Sequence, residues 1–225
     1  MRPLLTCVAV VLALAGIASR AEAAPILYEV SGVASGQIGG TSFSNVLVTF
    51  AGLGDTANIV TGDVGGTVYA NRFSALAVTI AGFGTATVTD GSDIISIPFA
   101  LPPNDEIPSI PIIIFGRIDP PFTDPFEFTG MGAVGSSLLA GYNLATAIGP
   151  INSFGGVGFI EDCSTLGHDP CLHTTAGLLS FTSNISETNA GTFRATLLPV
   201  PEPATLLLVA SGVGVLVRRS GRRQA

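Results

Sequence analysis

The chain has 225 residues and a formal net charge of −7, with nine basic residues, all of them arginine, against sixteen acidic ones. Six of the arginines lie in residues 1–23 and 199–225, so the stretch between them carries 3 − 14 = −11. A surface of that sign repels nucleic-acid phosphates and anionic lipid headgroups, which excludes nucleic acid as a partner of this stretch. Its length, about 175 residues, suffices for one domain with a sizeable core.

Residues 1–23 have the form of a secretory signal peptide. Met1-Arg2 precedes an apolar run over residues 4–17, and small residues flank Glu22 before the expected cleavage point. We predict cleavage between Ala23 and Ala24, because cleavage one residue later would leave Pro25 at the new N-terminus. The sequence therefore predicts export by the secretion machinery.

Residues 24–198 have the composition of an all-β domain. They are rich in Gly, Thr, Ser, Val, Ile and Phe and poor in the long polar residues that favour helices. We predict one antiparallel β-sandwich or jelly-roll-like domain, with 75–80 and 85–89 as its clearest hairpin. Glycine-rich pieces such as 52–55 are expected to be turns, and only 134–147 has helical character, weakened by Gly141. The predicted strands are 26–34, 46–50, 67–73, 75–80, 85–89, 93–99, 110–118, 156–160, 178–182 and 193–198.

A threonine strand and a proline-rich segment lie in the first half of this domain. Thr85, Thr87 and Thr89 share one face of a predicted strand, as on ice-binding surfaces, but the motif is not repeated along the chain and is typical of a solvent-facing strand. Residues 98–125 contain eight prolines, which exclude a central strand over most of the segment. The proline-free piece 112–115 is expected to enter the core.

Several carboxylate-bearing loops could bind calcium through oxygen ligands, although none has the EF-hand pattern. They lie at 90–93, 104–106 and 119–124. Solvated turns explain most such clusters, so we predict no bound cofactor and keep calcium as the alternative. Two of these acids could also serve in glycoside hydrolysis, which depends on their separation in space.

The densest polar segment, 161–173, contains both histidines of the chain and two cysteines. In an exported protein we expect a disulfide between Cys163 and Cys171, closing a small loop. Zinc bound by these two cysteines with His168 and His173 is the alternative, but the spacing matches no common zinc module. We predict no catalytic residue in this segment.

The last twenty-six residues have three parts in a fixed order. A proline-flanked acidic motif leads into an apolar segment at 204–217, and an arginine cluster follows. As a helix the apolar segment would span about 21 Å, short of the ~30 Å hydrocarbon core of a bilayer. Arginines after an apolar segment keep that end on the cytoplasmic side. The motif is Val200, Pro201, Glu202 and Pro203, and the cluster is Arg218, Arg219, Arg222 and Arg223.

This tail closely resembles the PEP-CTERM sorting signal of Gram-negative bacteria. The resemblance covers about residues 199–223 and implies recognition by an exosortase, a multi-pass membrane enzyme thought to cut near the motif. It implies a transient stage in the inner membrane followed by delivery to the cell surface or the extracellular polysaccharide matrix. It says nothing about the activity of residues 24–198.

Together these features predict a non-enzymatic exported protein with a structural or adhesive role, and exopolysaccharide as one partner. A carbohydrate-binding module, with or without calcium, is an alternative, although the chain has no Trp and only three Tyr to stack on sugars. A carboxylate-dependent hydrolase is a second alternative.

Overall fold

A computed structural model of the protein describes residues 23–63, 65–89, 91, 93–98, 111–118, 128–152, 172–181 and 191–199. These residues form antiparallel β-strands and two short 3-10 helices, which confirms the prediction of an all-β domain. None of their helices is long and apolar enough to cross a membrane. The strands are β1 (Pro25–Ile38), β2 (Thr41–Asp55), β3 (Val60–Asp63), β4 (Thr67–Arg72), β5 (Ala75–Ile80), β6 (Gly84–Thr87), β7 (Asp93–Ile97), β8 (Ile112–Ile118), β9 (Phe128–Gly135), β10 (Ile148–Asn152), β11 (Leu172–Thr174), β12 (Gly177–Phe181) and β13 (Thr192–Leu197), and the 3-10 helices are η1 (Thr56–Asn58) and η2 (Ser137–Leu139).

The long hairpin of β1 and β2 is the centre of the fold. Its strands have 14 and 15 residues and pair along almost their whole length. Along β1, buried and partly exposed residues alternate, because successive side chains of a strand point to opposite faces. Ile26, Tyr28 and Val30 therefore face the core, while Glu29 and Ser31 face outward.

The larger sheet, sheet A, nearly closes on itself. Its strand order is β10-β13-β1-β2-β5-β6, and β12 pairs with the end of β1 while β11 pairs with β12. Val88, just after β6, forms a β-bridge with Thr174 in β11. This bridge closes a ring of six strands around a common interior: β1, β2, β5, β6, β11 and β12. β12 approaches β1 so closely that a Cβ atom at Gly36 would lie 2.1 Å from the carbonyl oxygen of Ser180. Only glycine fits at this closure.

The smaller sheet, sheet B, has the order β3-β4-β7-β8-β9 and packs its inner face against sheet A. Phe73, which follows β4, links the two sheets: its ring centroid lies 5.2 Å from that of Phe115 in β8 and 6.2 Å from that of Tyr28 in β1. Ile113 and Phe115 are fully buried in this core, as predicted for residues 112–115, whereas Ile112 and Ile114 are buried on the opposite face of β8.

The outer face of sheet B is largely apolar and is buried on its inner strands. Six apolar side chains of β4, β7 and β8 are at most 4% exposed and do not belong to the core cluster between the sheets, whereas Val60 on the edge strand β3 is 52% exposed and the Arg72 side chain is 62% exposed. Because both faces are covered, all five residues of β7 are buried. The six buried apolar residues of this face are Val68, Ala70, Ile95, Ile97, Ile112 and Ile114.

The helical character expected for 134–147 was a wrong prediction. β9 continues to Gly135, a single 3-10 turn follows, and β10 begins at Ile148. Gly141 and Leu144 have φ angles of 72° and 66°, in the left-handed region that an α-helix cannot contain. Leu139, Tyr142 and Leu144 are instead buried in the core, so the segment fills the space beside the sheets.

The predicted strands overlap the observed ones wherever both are described, and the 75–80/85–89 hairpin is confirmed as β5 and β6. Residues 52–55 lie in β2, so the prediction of a turn there was wrong. A Cβ atom at Gly52 would lie 2.2 Å from the ring of Phe73, so this glycine makes room for a core side chain. Strands β3, β9, β10 and β11 were not predicted, and 156–160 lies outside the described residues.

Candidate functional site

The outer face of sheet A carries a row of polar side chains, one on each of six adjacent strands. Each residue is the registered partner of the next, so the row crosses the strands at right angles. At ~4.8 Å between strands, its five intervals span about 24 Å along the curved sheet. We call this set the hydroxyl row: Asn152 (β10), Thr192 (β13), Ser31 (β1), Thr49 (β2), Thr79 (β5) and Thr85 (β6).

Hydrogen bonds link neighbouring residues at both ends of the hydroxyl row. The hydroxyl oxygens of Thr79 and Thr85 lie 2.9 Å apart, and the hydroxyl of Thr192 donates to Oδ1 of Asn152 at 3.4 Å. All six side chains are half-buried or exposed. The row is therefore accessible from outside, although each threonine stem packs on its neighbours.

An ion pair lies beside the hydroxyl row. Glu29 and Arg194 are registered partners on β1 and β13, and Nε of Arg194 donates to Oε2 of Glu29 at 2.9 Å. Nη2 of Arg194 donates to the same oxygen. The Arg194 side chain is 54% exposed and that of Glu29 is 24% exposed, so the pair is open to solvent.

A bulge in β10 completes a cleft around this pair. The register between β10 and β13 shifts so that Gly149 and Pro150 both lie opposite Arg194. Gly149 has φ of 97°, and a Cβ atom there would lie 2.6 Å from the carbonyl oxygen of Phe193, so the bulge requires glycine. The cleft has a volume of about 260 Å³ and is lined by Glu29, Ser31, Thr49, Pro150, Thr192 and Arg194.

The chemistry of this cleft is that of a hydroxyl-binding site. Both bonds of the ion pair end on Oε2 of Glu29, which leaves Oε1 as an acceptor, and they leave the N–H groups of Nη1 of Arg194 as donors. The hydroxyls of Ser31, Thr49 and Thr192 can each donate and accept. The cleft contains one carboxylate, whereas hydrolysis by paired acids needs two.

A second set of polar side chains, Tyr28 and Asn71, is buried between the sheets and stabilises the fold. The hydroxyl of Tyr28 donates to the carbonyl oxygen of Leu144 at 2.7 Å and accepts from Nδ2 of Asn71 at 3.0 Å. Burial raises the pKa of Tyr28 to about 12, and the bond from Asn71 partly offsets this. Burial also raises the pKa of Tyr142, with a smaller contribution from Tyr28. Oδ1 of the fully buried Asn71 has no partner.

The predicted cleavage site lies at the first strand. The amide of Ala24 donates to the Thr56 hydroxyl at 2.9 Å, its carbonyl oxygen accepts from the amide of Thr56 at 3.1 Å, and Ala23 is exposed. The amide of Leu198 donates to the carbonyl oxygen of Pro25 at 2.8 Å. The two ends of the domain are therefore neighbours.

The other predicted site residues lie mostly outside the described residues. These include Cys163, Cys171, His168, the sorting motif and the arginine cluster, so the disulfide and the zinc alternative stay predictions. His173 lies in β11, as the registered partner of Leu178.

Of the calcium candidates, Asp93 is described and has a different role. It pairs with Arg72, its registered neighbour, through two hydrogen bonds of 3.1 and 3.2 Å, and is largely buried. Asp90 and the acids of 104–106 and 119–124 lie outside the described residues. Within the described ranges, no group of three His, Cys, Asp or Glu side chains could hold a metal ion.

Sequence reasoning missed the hydroxyl row. Thr85 and Thr87 do face outward on β6, as the alternation predicted, but their threonine motif is not repeated along the chain. The structure repeats the hydroxyl across strands, from positions as distant as Ser31 and Thr192. Alternation in β1, β2 and β5 identifies each residue as outward-facing, and only strand order and register align them.

No protein-family model matches the chain, and neither a curated protein nor a solved structure matches it.

Proposed function

We propose that this protein is exported and processed at both ends, and that its β-domain has a structural or adhesive role at the cell surface or in the extracellular matrix. In this proposal the secretion machinery carries the chain across the membrane, and the tail holds it there until an exosortase-type enzyme acts at the Val200–Pro203 motif. The exported domain is not an enzyme and holds no cofactor.

The observation that carries this proposal is the position of the strands relative to the two signals. β1 begins at Pro25, after the predicted cleavage site, and β13 ends at Leu197, before the sorting motif. Removal of both signals would leave every described strand intact. The bond between Pro25 and Leu198 brings both junctions to the same end of the paired strands β1 and β13, so a chain held at either end would present the same side to the membrane.

An adhesive role is supported by the outer face of sheet A. This face offers a long accessible row of hydroxyls beside an exposed ion pair, and it is built from rigid strands. The cleft contributes one acid, Glu29, whereas hydrolysis by paired acids needs two.

Processing can be tested by intact-mass measurement and fractionation in a Gram-negative host that carries an exosortase. We expect an extracellular species that begins at Ala24 and lacks Arg222 and Arg223. The triple substitution Pro201→Ala, Glu202→Ala and Pro203→Ala should leave a longer form in the inner membrane. The matched control Ser220→Ala lies in the tail beyond the motif and should be processed normally. Wild-type protein found only in the cytoplasm, or secreted with its arginine cluster, would refute the proposal.

A further inference from the structure

We propose that the outer face of sheet A binds a neutral, hydroxyl-rich polysaccharide, with one sugar in the cleft at Glu29 and Arg194 and the chain continuing along the hydroxyl row. This inference deepens the proposed adhesive function by naming its ligand and its site.

The cleft presents the donor and acceptor pattern that vicinal sugar hydroxyls need. Nη1 of Arg194 can donate to one hydroxyl, and Oε1 of Glu29 can accept from its neighbour, because every hydroxyl both donates and accepts. Hydrogen bonds to charged groups are stronger than those between neutral groups. The ion pair fixes both side chains before the ligand arrives, which lowers the entropy lost on binding.

The cleft is the right size for one unit of a chain. At about 260 Å³ it lies below the ~300–1,000 Å³ usual for pockets that enclose a drug-sized ligand. A ligand held tightly would therefore need contacts outside the cleft. Thr49 lines the cleft and is the registered partner of Thr79, so the hydroxyl row leads directly out of it toward β5 and β6.

Small and apolar residues lie beside the hydroxyl row. On one side, the row that starts with Arg194 and Glu29 continues with the small residues Ala51 and Ala77. On the other side lies Leu47, whose side chain is 52% exposed. Small residues leave room for sugar rings, and Leu47 offers apolar contact to their C–H groups.

Charge favours a neutral ligand over an anionic one. The positive charge of Arg194 is matched by Glu29, so the cleft has no net charge to attract a carboxylate or sulfate group. The surrounding domain carries −11, which repels a polyanion. A planar crystalline surface such as ice is disfavoured, because sheet A curves until Val88 and Thr174 meet, and the row follows that curve.

Native gel electrophoresis in gels containing a polysaccharide tests this inference on the full chain purified in mild detergent. The neutral probes are dextran, a mixed-linkage β-glucan and a galactomannan, and the anionic probe is alginate. We expect at least one neutral probe to slow the protein, and the double variant Glu29→Ala with Arg194→Ala to weaken this binding by about tenfold or more. The pair Thr79→Ala with Thr85→Ala should weaken it by a smaller factor.

Two controls separate binding from folding. Thr196→Ala removes an exposed hydroxyl of β13 outside the hydroxyl row and should bind like wild type. The charge exchange Glu29→Arg with Arg194→Glu keeps an ion pair but reverses its donor and acceptor, so it should fold normally and bind weakly.

Retardation by alginate alone, by none of the probes, or equally for wild type and the cleft variants would overturn the inference. Because binding is measured on purified full chain, its failure leaves the proposal on export untouched. A failure of tail processing likewise leaves the binding result standing.

Discussion

The outer faces of the two sheets differ in composition and in exposure. Sheet A presents hydroxyls, small residues and an open ion pair to solvent, whereas the inner strands of sheet B present mainly Ile, Val and Ala side chains that are almost fully buried. Both sheets are antiparallel and share one core, so the difference lies in which residues occupy the outward positions. An apolar outer face must be covered to be stable, and a polar one can remain open to a ligand. Sheet A is therefore the face on which binding should be sought.

Placing the same charge on each outer face tests this difference most directly. Ile114→Asp introduces a carboxylate at a position that is 1% exposed, and we expect it to lower the free energy of unfolding by ~4 kcal/mol or more. Thr79→Asp, at an exposed position of sheet A, should cost ~1 kcal/mol or less. Urea unfolding followed by circular dichroism measures both. If Ile114→Asp proves as mild as its control, the outer face of sheet B is open to solvent and the contrast is lost.

The inner faces of the two sheets enclose one dry interior, which alkaline pH can test. The ordinary pKa of tyrosine is 10, and burial raises that of Tyr28 to about 12 and also raises that of Tyr142. Between pH 10 and 12 the unfolded chain therefore loses protons that the folded protein keeps, and stability falls as pH rises. Each of these tyrosines contributes a slope of ~1.4 kcal/mol per pH unit, and neither contributes below pH 10.

Urea midpoints at intervals from pH 8 to 12 follow this loss, and tyrosinate absorbance reports the folded protein directly. Tyr28→Phe should remove about half of the alkaline slope. A midpoint that stays constant from pH 10 to 12 would show that water reaches both hydroxyls.

The closure of sheet A, which curves its outer face, depends on Gly36. The Cβ atom in Gly36→Ala would lie 2.1 Å from a backbone oxygen that cannot move without breaking the pairing of β1 with β12. We expect a loss of ~3 kcal/mol, at the upper end of overpacking costs. Gly91→Ala is the matched control, because a Cβ atom there meets nothing within 4 Å. Equal thermal midpoints for the two variants would show that β12 does not lie against β1 at Gly36.

Sequence was sufficient for the strands whose pattern is local. The alternation of Ile26, Tyr28 and Val30 identifies β1, and the run of isoleucines at 112–114 identifies a strand buried on both faces. The glycines of β2 were misassigned to a turn because a sequence does not show that Phe73 needs the space at Gly52. Short strands such as β3 and β11 have too few residues for a period to be visible.

The candidate site could not be predicted from the sequence, because the register in which the strands pair brings its residues together. Glu29 and Arg194 are 165 positions apart, and a shift of one residue in the pairing of β1 with β13 would separate them. The cleft needs in addition the bulge at Gly149, which carries no distinctive signal in the sequence. The sorting tail is the opposite case, since its three parts are contiguous and need no fold to be identified.

Tyr28 and Asn71 form a hydrogen-bonded polar pair between the sheets, and substituting each should change the free energy of unfolding differently. Tyr28→Phe leaves Nδ2 of Asn71 and the carbonyl oxygen of Leu144 without their partner, at a cost of ~1–3 kcal/mol. Asn71→Leu keeps the same number of side-chain heavy atoms in the same branched arrangement, removes the unpartnered Oδ1, and leaves Tyr28 bonded to Leu144, so we expect it to be neutral or stabilising. Chemical denaturation of both variants gives the comparison. A loss for Asn71→Leu as large as that for Tyr28→Phe would contradict it.

The smallest expected effect concerns the two cross-strand ion pairs, one on each outer face. Asp93 is 8% exposed at its side chain, so Arg72→Ala leaves a mostly buried carboxylate without this partner and should cost ~1–3 kcal/mol. Glu29 is 24% exposed, and water can replace its partner, so Arg194→Ala should cost less than ~1 kcal/mol and less still at high salt.

Urea unfolding at low and high salt measures both variants, and Asp93→Asn and Glu29→Gln complete a double-mutant cycle for each pair. If Arg194→Ala is the more costly of the two, the pair on sheet A is chiefly part of what stabilises the fold. If it is the less costly, the stability of the fold does not account for the pair, and the pair is available as a preformed site in which Oε1 of Glu29 and Nη1 of Arg194 bind a ligand.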